Sequence, residues 1–442
     1  MTQAIESASG LSAYRRRAAI ASMIGTTIEW YDFFAYGTVG ALVFPKLFFP
    51  KSDPYVGLMQ TFLTYAIGFV ARPLGSVFFG HYGDRIGRKT TLIITLLTMG
   101  LATALVGLMP TYATLGTLAP LGLVVLRFLQ GFSAGGEWAG AVLLSVEWSK
   151  QERRGLFGSL PQLGSPFGLV LSSTVASLGL AASGTAFLSW GWRVPFLVSL
   201  ALVVIGLYAR LSVLETPVFR EVLERRQVTR APVAAVLRLQ PRELAIASLL
   251  NIAPNGTFYV FNVFLLGYGS SILKVPRAIL VNATILGGIA AAVATLFSGY
   301  LADRIGRRTP YLLGTVALLV WALPAFALVH TRDPWLIGLA MVGGFAIFGI
   351  MYGPLAAFLA EAFLPQVRYS GAGLAYNIGA IFGGGISPLI ANWLTARVGT
   401  VYSVGVYLAF LAVVGALGAV ALRPTGVTSA DTVADQELAL EG

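Results

Sequence analysis

Apolar residues in this chain neither alternate nor keep to one helical face. They run almost unbroken for twenty or more positions at a time. A bilayer core about 30 Å thick needs roughly 20 consecutive apolar residues in a helix. On that measure the pattern predicts twelve segments. The first six are 18–44, 55–79, 90–109, 119–146, 155–180 and 193–213. The second six are 244–266, 277–298, 309–329, 335–360, 371–395 and 401–422. The longest polar stretch, Leu214–Glu243, carries Arg220, Arg225, Arg226, Arg230, Arg238 and Arg242 and separates the two sets. The predicted class is an all-α polytopic membrane protein. Its expected layout is an N-terminal six-helix bundle over 1–213, a central loop over 214–243 and a second bundle over 244–422. The tail over 423–442, small and acidic, is expected to be disordered. The first segment follows Arg15-Arg16-Arg17, exceeds the length of a signal-peptide core and lacks a small-residue cleavage site, so it reads as a retained anchor.

Composition sharpens the class. Of 442 residues 56% are hydrophobic and 11% charged, against about 25% charged in soluble domains. A soluble enzyme is excluded. The net charge of +11 does not point to nucleic acid, because the basic residues sit in short groups between apolar runs. With no Cys and only His81 and His330, thiol chemistry and a His-built metal site are excluded, and no cofactor is expected. With the N-terminus inside, 21 Lys and Arg fall on the inner side and 7 on the outer, namely Lys46, Lys51, Arg193, Lys274, Arg277, Arg332 and Arg397. That bias predicts both termini in the cytoplasm of a plasma (inner) membrane.

The chain repeats itself. Gly80-His-Tyr-Gly-Asp-Arg-Ile-Gly-Arg-Lys89 follows segment two, and Gly299-Tyr-Leu-Ala-Asp-Arg-Ile-Gly-Arg-Arg308 follows segment eight, 219 residues later, with six of ten positions identical. Glu147 and Arg154 recur as Glu361 and Arg368, both 214 residues on. Two loops repeating at nearly one spacing imply two pseudo-symmetric six-helix bundles. Substrate sites of duplicated carriers lie between such halves at mid-depth.

The Gly-x-x-x-Asp-Arg-x-Gly-Arg-Arg/Lys loop, present in both halves, resembles that of the major facilitator superfamily. Further motifs resemble its metabolite:proton symporter branch. They are Glu29-Trp-Tyr-Asp-Phe-Phe34, Ala71-Arg-Pro-Leu-Gly75, Arg127-Phe-Leu-Gln-Gly-Phe-Ser-Ala-Gly-Gly-Glu137, Gly191-Trp-Arg-Val-Pro-Phe196 and Leu214-Glu-Thr-Pro-Val-Phe219. That branch contains carriers of shikimate, 2-oxoglutarate, citrate, proline and betaine, and the shikimate-type members look nearest. Asn262 departs from the pattern, which has Thr there. The resemblance implies a gating role for the loops, through Gly80, Asp84, Arg85, Gly87, Arg88, Asp303, Arg304 and Arg307 with Glu147, Arg154, Glu361 and Arg368. Asp84 and Asp303 stand where they can meet helix N-termini, which favour negative charge.

Five ionisable residues fall inside segments: Glu29, Asp32, Arg72, Arg127 and Glu137. Each costs roughly 2.5–3.5 kcal/mol at the bilayer centre, so each is expected to face the interior or a wet cavity. Glu29, Asp32 and Glu137 are the proton-coupling candidates. Glu29 and Asp32 lie on neighbouring faces of one helix, and two carboxylates in a poorly solvated site favour one proton held between them; the alternative is an ion pair with Arg72. Arg72 and Arg127 are candidate anchors for an acidic substrate, while Arg127 reads equally as a tie to backbone carbonyls. Polar and aromatic residues at helical spacing complete the binding set: Tyr36, Gln130, Gln162, Asn251, Asn255, Tyr259, Asn262, Tyr376 and Asn377. Any of these reads as well as an interhelical hydrogen bond, and Gly131, Gly135, Gly136 and Gly140 read as packing positions.

The function expected is a proton-coupled symporter of a small polar metabolite, an organic acid, working by alternating access as a monomer in the lipid bilayer. A proton-coupled exporter of the same fold is the alternative. A membrane enzyme lacks a recognisable constellation, a sensor lacks an output domain, and an ATP-driven pump lacks a Gly-x-x-x-x-Gly-Lys-Ser/Thr loop.

Overall fold

The computed structural model describes residues 8–86, 88–135, 138, 142, 145–146, 153–211, 232–364 and 367–422, and within these the side chains outside 8–22, 80–90, 92, 209–211 and 232. Among these residues twelve long helical segments follow in order. The first half contributes α1 (Ala8–Leu47), α2 (Pro54–Ile86), α3 (Arg88–Leu108), α4 (Leu118–Ala134), α5 (Arg154–Gln162, continued by Gly164–Ser183) and α6 (Val194–Leu211). In the second half α7 runs Pro241–Tyr259, passes through a π turn at Val260–Phe264 and ends as Leu265–Ser271. Then come α8 (Arg277–Ile305), α9 (Arg308–His330) and α10 (Pro334–Glu361). Helix α11 runs Arg368–Ala380, a π turn at Ile381–Gly385 and Ser387–Val398, and α12 is Tyr402–Ala421. Among the described residues nine helices are long and apolar enough to cross a bilayer, beside the shorter apolar Ile93–Leu108 and Leu118–Ala134.

The helix ends follow from local chemistry. Proline, which has no N–H to lose in a first turn, opens α2, α7 and α10 at Pro54, Pro241 and Pro334. Asp333 caps α10 by accepting from the N–H groups of Trp335 (2.9 Å) and Leu336 (3.0 Å). Gly399, at φ +78°, closes α11 in the left-handed region. One boundary differs from expectation. The central loop was expected to extend to Glu243, whereas Pro232–Leu239 is a short helix and α7 begins at Pro241, each prolines' fixed φ setting a first turn.

Small residues draw the helices together. A Cβ added at Gly131 of α4 would lie 1.9 Å from the Gly68 carbonyl of α2, and one at Gly135 would lie 2.0 Å from the Arg72 carbonyl. The same crossing recurs in the second half, where a Cβ at Gly349 of α10 would lie 2.6 Å from the Ala291 carbonyl of α8. Gly135 and Gly349 are 214 positions apart, and Arg72 and Ala291 are 219 apart. The duplicated crossing therefore carries a charge in one half and a methyl in the other. Elsewhere α1 packs on α5 and α3 on α6, while α8 and α10 meet α5 across the halves and α2 meets α11. The outward faces are apolar, with Leu63, Val70, Leu286, Val293, Phe297, Val320 and Val204 all exposed, as a lipid-facing surface requires.

Candidate substrate and proton site

The charged centre belongs to the first half. Arg127 of α4 has no solvent exposure and Arg72 of α2 has 3%. Both lie against rings rather than carboxylates. The Arg127 guanidinium carbon stands 3.7 Å from the centre of the Phe33 ring, 4.2 Å from Tyr65 and 4.6 Å from Tyr36. That of Arg72 stands 4.2 Å from Phe33, 4.9 Å from Trp30 and 5.4 Å from Phe69. Phe33 is thus shared by two cations. Among the described residues no carboxylate lies within ion-pair distance of either arginine, so the expected alternative of an ion pair between Arg72 and Glu29 or Asp32 is not what these residues form. Arg127 makes one tie of the expected backbone kind, Nε to the Tyr65 carbonyl at 3.5 Å, and donates from Nη1 to Gln130 Oε1 at 3.1 Å. Arg127 Nη2 and Arg72 Nε and Nη2 have no hydrogen-bond partner among the described residues. Buried cations lose several kcal/mol of hydration, and each ring contact returns about 0.5–2 kcal/mol, which leaves N–H groups suited to an anion.

The two carboxylates of α1 are buried, Glu29 at 4% exposure and Asp32 at 1%. Asp32 Oδ1 has no hydrogen-bond partner among the described residues.

The remaining candidates divide into ties and cavity-facing groups. Gln130 is used at both ends, since its Nε2 donates to Thr103 Oγ1 at 2.8 Å. Gln162 accepts from Trp138 Nε1 (2.8 Å) and donates to the Tyr352 carbonyl (3.3 Å), joining α5 to α10. Asn251 donates to the Tyr376 carbonyl at 2.6 Å and accepts from Asn255 at 2.6 Å. Asn377 donates to the Gly135 carbonyl at 3.3 Å. Tyr36 donates to Thr64 at 2.9 Å, and the hydroxyls of Tyr376 and Tyr352 meet at 3.1 Å. Asn262, which straight helical spacing places on one face with Asn251 and Asn255, lies in the π turn. The π turn inserts an extra residue into the helical register, and Asn262 Oδ1 accepts instead from Thr38 of α1 at 3.3 Å, its Nδ2 having no partner. Tyr259 packs on Phe69 and Phe258, with ring centres 5.0 Å away in each case.

The halves touch at both ends of the bundle. At the end bearing the repeated loop, here the motif face, Asp303 accepts from the N–H groups of Gly155 (2.7 Å) and Leu156 (2.9 Å) in the first turn of α5, which Arg154 opens. Arg307 holds Asp303 at 2.8 Å and Glu361 at 3.2 Å. Arg304 lies over the Tyr300 ring at 4.5 Å, and Arg368 Nε donates to the Phe363 carbonyl at 3.3 Å. At mid-depth the ring of Trp138 stacks on Tyr376 at 3.8 Å, and Phe34 meets Phe258 at 4.9 Å. At the far face Asn392 donates to the Tyr55 carbonyl (2.9 Å), Arg277 to that of Leu42 (3.4 Å) and Ser177 to Asn282 (3.0 Å). Among the described residues, contacts between the halves are thus present toward both ends. Gly87, Glu137 and Glu147 lie outside the described residues, as do the side chains of Asp84, Arg85 and Arg88 and the surroundings of Gly80. Sequence reasoning missed Phe33, Tyr65 and Thr103 as members of the centre; the aromatic density of 30–36 was the available signal for the first.

A twelve-helix membrane protein built of two repeated bundles, with buried charges at mid-depth and closures at both ends, is a secondary transporter and not an enzyme. The chain belongs to the major facilitator superfamily, whose family model matches residues 18–381 and 279–438. It is 40% identical over 404 residues to the inner membrane metabolite transport protein YhjE of Escherichia coli (strain K12), covering 90% of this chain and 92% of that one. It is 37% identical over 414 residues to the shikimate transporter of the same organism, covering 92% and 94%. The proline/betaine transporter of that organism is 37% identical over 426 residues, covering 93% and 84%. Among solved structures, a D-xylose-proton symporter superimposes with a TM-score of 0.71 at 18% identity, covering 94% of this chain and all of that one, which shows the shared fold.

Proposed function

We propose that this chain is a proton-coupled symporter of a small carboxylate metabolite, seated in the inner membrane with its motif face and both termini in the cytoplasm. The carrying observation is the pair of buried guanidinium groups whose free N–H donors meet no protein acceptor among the described residues, one helix away from two buried carboxylates. Arg72 and Arg127 hold the substrate carboxylate, and the aromatic rings around them exclude water. Glu29 and Asp32 carry the proton. Relatives named for shikimate and for proline/betaine transport support a carboxylate-bearing cargo. The motif-face contacts of Asp303 break as the halves rock, and those of the far face break in the opposite swing. The test is uptake by the reconstituted protein under an imposed proton gradient, with shikimate, 2-oxoglutarate, citrate, proline, glycine betaine and xylose as probes. A carboxylate is expected to accumulate in proportion to the gradient. Accumulation of xylose alone overturns the substrate class, and uptake indifferent to the gradient overturns the coupling.

A further inference from the structure

Toward the far face of the first half, α3 and α4 leave a cleft of about 570 Å³ between them, which the transport reading does not use. Leu105 and Leu108 of α3 line it, with Met109 and Pro110 of the connection. From α4 come five residues between Leu118 and Leu126, at i, i+3, i+4, i+7 and i+8, which is one face of a helix. No lining residue has a polar side chain. Leu105, Leu108, Leu118, Leu121 and Val125 are exposed, so the protein itself does not fill the cleft. Gly122 leaves room at its floor, since a Cβ there would stand 2.3 Å from the Met109 methyl group. From Leu118 to Leu126 the cleft descends about 12 Å at 1.5 Å per residue. That is most of the ~15 Å of hydrocarbon in one leaflet, and it stops one residue short of Arg127.

Two cations stand at its mouth. Arg193, in the connection between α5 and α6, donates from Nη1 to the carbonyls of Gly107 (2.6 Å) and Met109 (2.9 Å), and Met109 lines the cleft. Its guanidinium carbon lies 4.6 Å from the centre of the Trp192 ring. Lys51, in the connection between α1 and α2, lies over the Tyr112 ring at 5.5 Å, two residues past Pro110 of the lining. Among the described residues neither cation forms an ion pair, and Asp53, two residues after Lys51, accepts instead from the Tyr55 N–H at 2.9 Å. Tyr112 and the exposed Trp190 mark the headgroup level, where such rings gather.

We propose that the cleft holds one acyl chain of a phospholipid of the far-face leaflet, whose anionic headgroup is met by Arg193 and Lys51. The apolar lining takes a hydrocarbon tail and offers nothing to a polar cargo. The two cations take the phosphate, as basic residues at a membrane surface do. An ethanolamine headgroup brings its own ammonium to the same place and is disfavoured, whereas glycerol adds no charge. The bound tail braces α4 beside Arg127 and so supports the frame of the charged centre without touching cargo. This inference needs neither cargo nor gradient and stands or falls apart from the coupling reading.

The test is native mass spectrometry of the delipidated full chain, reading the affinity of the first molecule bound. The probes are dioleoyl phosphatidylglycerol, dioleoyl phosphatidylethanolamine and glycerol phosphate. Phosphatidylglycerol is expected to bind about fivefold more tightly than phosphatidylethanolamine, and glycerol phosphate, which lacks tails, not to bind. Lys51→Gln should cost phosphatidylglycerol about fivefold, the usual effect of one basic residue at a membrane surface, and remove most of the preference. Arg193 is left in place because it also ties the α3 connection. Gly122→Leu fills the cleft from its floor and Val125→Trp from its exposed lip; each should weaken phosphatidylglycerol binding more than tenfold. The lip variant keeps the test open where the floor variant fails to fold. Equal affinities for the two lipids in wild type overturn the headgroup assignment. Undiminished binding of phosphatidylglycerol by Val125→Trp overturns the cleft as the site. Glycerol phosphate bound as tightly as phosphatidylglycerol shows a site for free anions and overturns the lipid.

Discussion

Replacing Asp303 by Asn should unlatch the motif face. The carboxylate accepts two backbone N–H groups, from Gly155 at 2.7 Å and Leu156 at 2.9 Å, while Arg307 holds it at 2.8 Å. An amide has one acceptor oxygen, so one backbone donor is lost and the other keeps a neutral partner. Charge-assisted bonds contribute about 1.5–3 kcal/mol and neutral ones roughly half, and the negative charge at the N-terminus of α5 disappears as well. The sum is about 3 kcal/mol against the closed form, or about 100-fold in its equilibrium. The chain has no Cys, so Ala357→Cys introduces the sole thiol. Ala357 is fully buried, and its amide lies 3.4 Å from where a Cβ at Gly158 would stand, on the seam that must open. In detergent-solubilised protein the rate of maleimide labelling at this thiol should rise by one to two orders of magnitude when Asp303→Asn is added. A change of less than twofold would falsify the assignment of Asp303 as a latch between the halves.

Three further expectations concern the charged centre and its frame. Glu29→Gln or Asp32→Asn should abolish gradient-driven accumulation yet leave exchange of internal for external cargo, because exchange moves no net protons; if both variants accumulate with wild-type pH dependence, the coupling site lies elsewhere. Arg127→Lys keeps the charge but loses the planar stack on Phe33, Tyr36 and Tyr65, so the affinity for the transported carboxylate should fall more than tenfold, and an affinity within twofold of wild type would count against the cage. Gly131→Ala forces a Cβ to within 1.9 Å of the Gly68 carbonyl and should lower the Tm by about 2 °C, an overpacking cost of about 2 kcal/mol; Gly338→Ala, with nothing within 4 Å, is the control that should leave Tm unchanged or slightly raised.

The spans and the repeated loop were legible because a bilayer demands long apolar runs and because a duplicated latch keeps its charges. Asp303 at a helix N-terminus followed from the same pattern. The surroundings of Arg127 and Arg72 were not legible. Carboxylates are the partners that charge counting suggests, whereas rings at Phe33 and Tyr65 come into reach only through the close crossing that Gly68 and Gly131 permit, a property of two helices and of neither alone. The contact of Asn262 with Thr38 was not legible for a different reason. Helical spacing presumes a constant register, and the π turn at Val260–Phe264 shifts it, with no Gly or Pro in those five residues to announce the change. Gln130 illustrates a third limit, since an amide inside a membrane helix reads the same whether it waits for cargo or is held at both ends.

The aromatic contacts at mid-depth have a mechanical consequence. Among the described residues, directional bonds between the halves lie toward the ends, at Asp303 on one face and at Asn392, Arg277 and Ser177 on the other, and three others of 3.3 Å lie between them, at Thr38 to Asn262, Gln162 to the Tyr352 carbonyl and Asn377 to the Gly135 carbonyl. Beside those three the halves meet through rings, Phe34 on Phe258, Phe69 on Tyr259 and Trp138 on Tyr376. Dispersion between rings has shallow angular preferences and survives small rotations, whereas a hydrogen bond is lost with an ångström of separation. On the proposed rocking cycle the end contacts would serve as latches and the ring contacts as a bearing, and the work of each half-cycle would be mainly the exchange of one latch for the other.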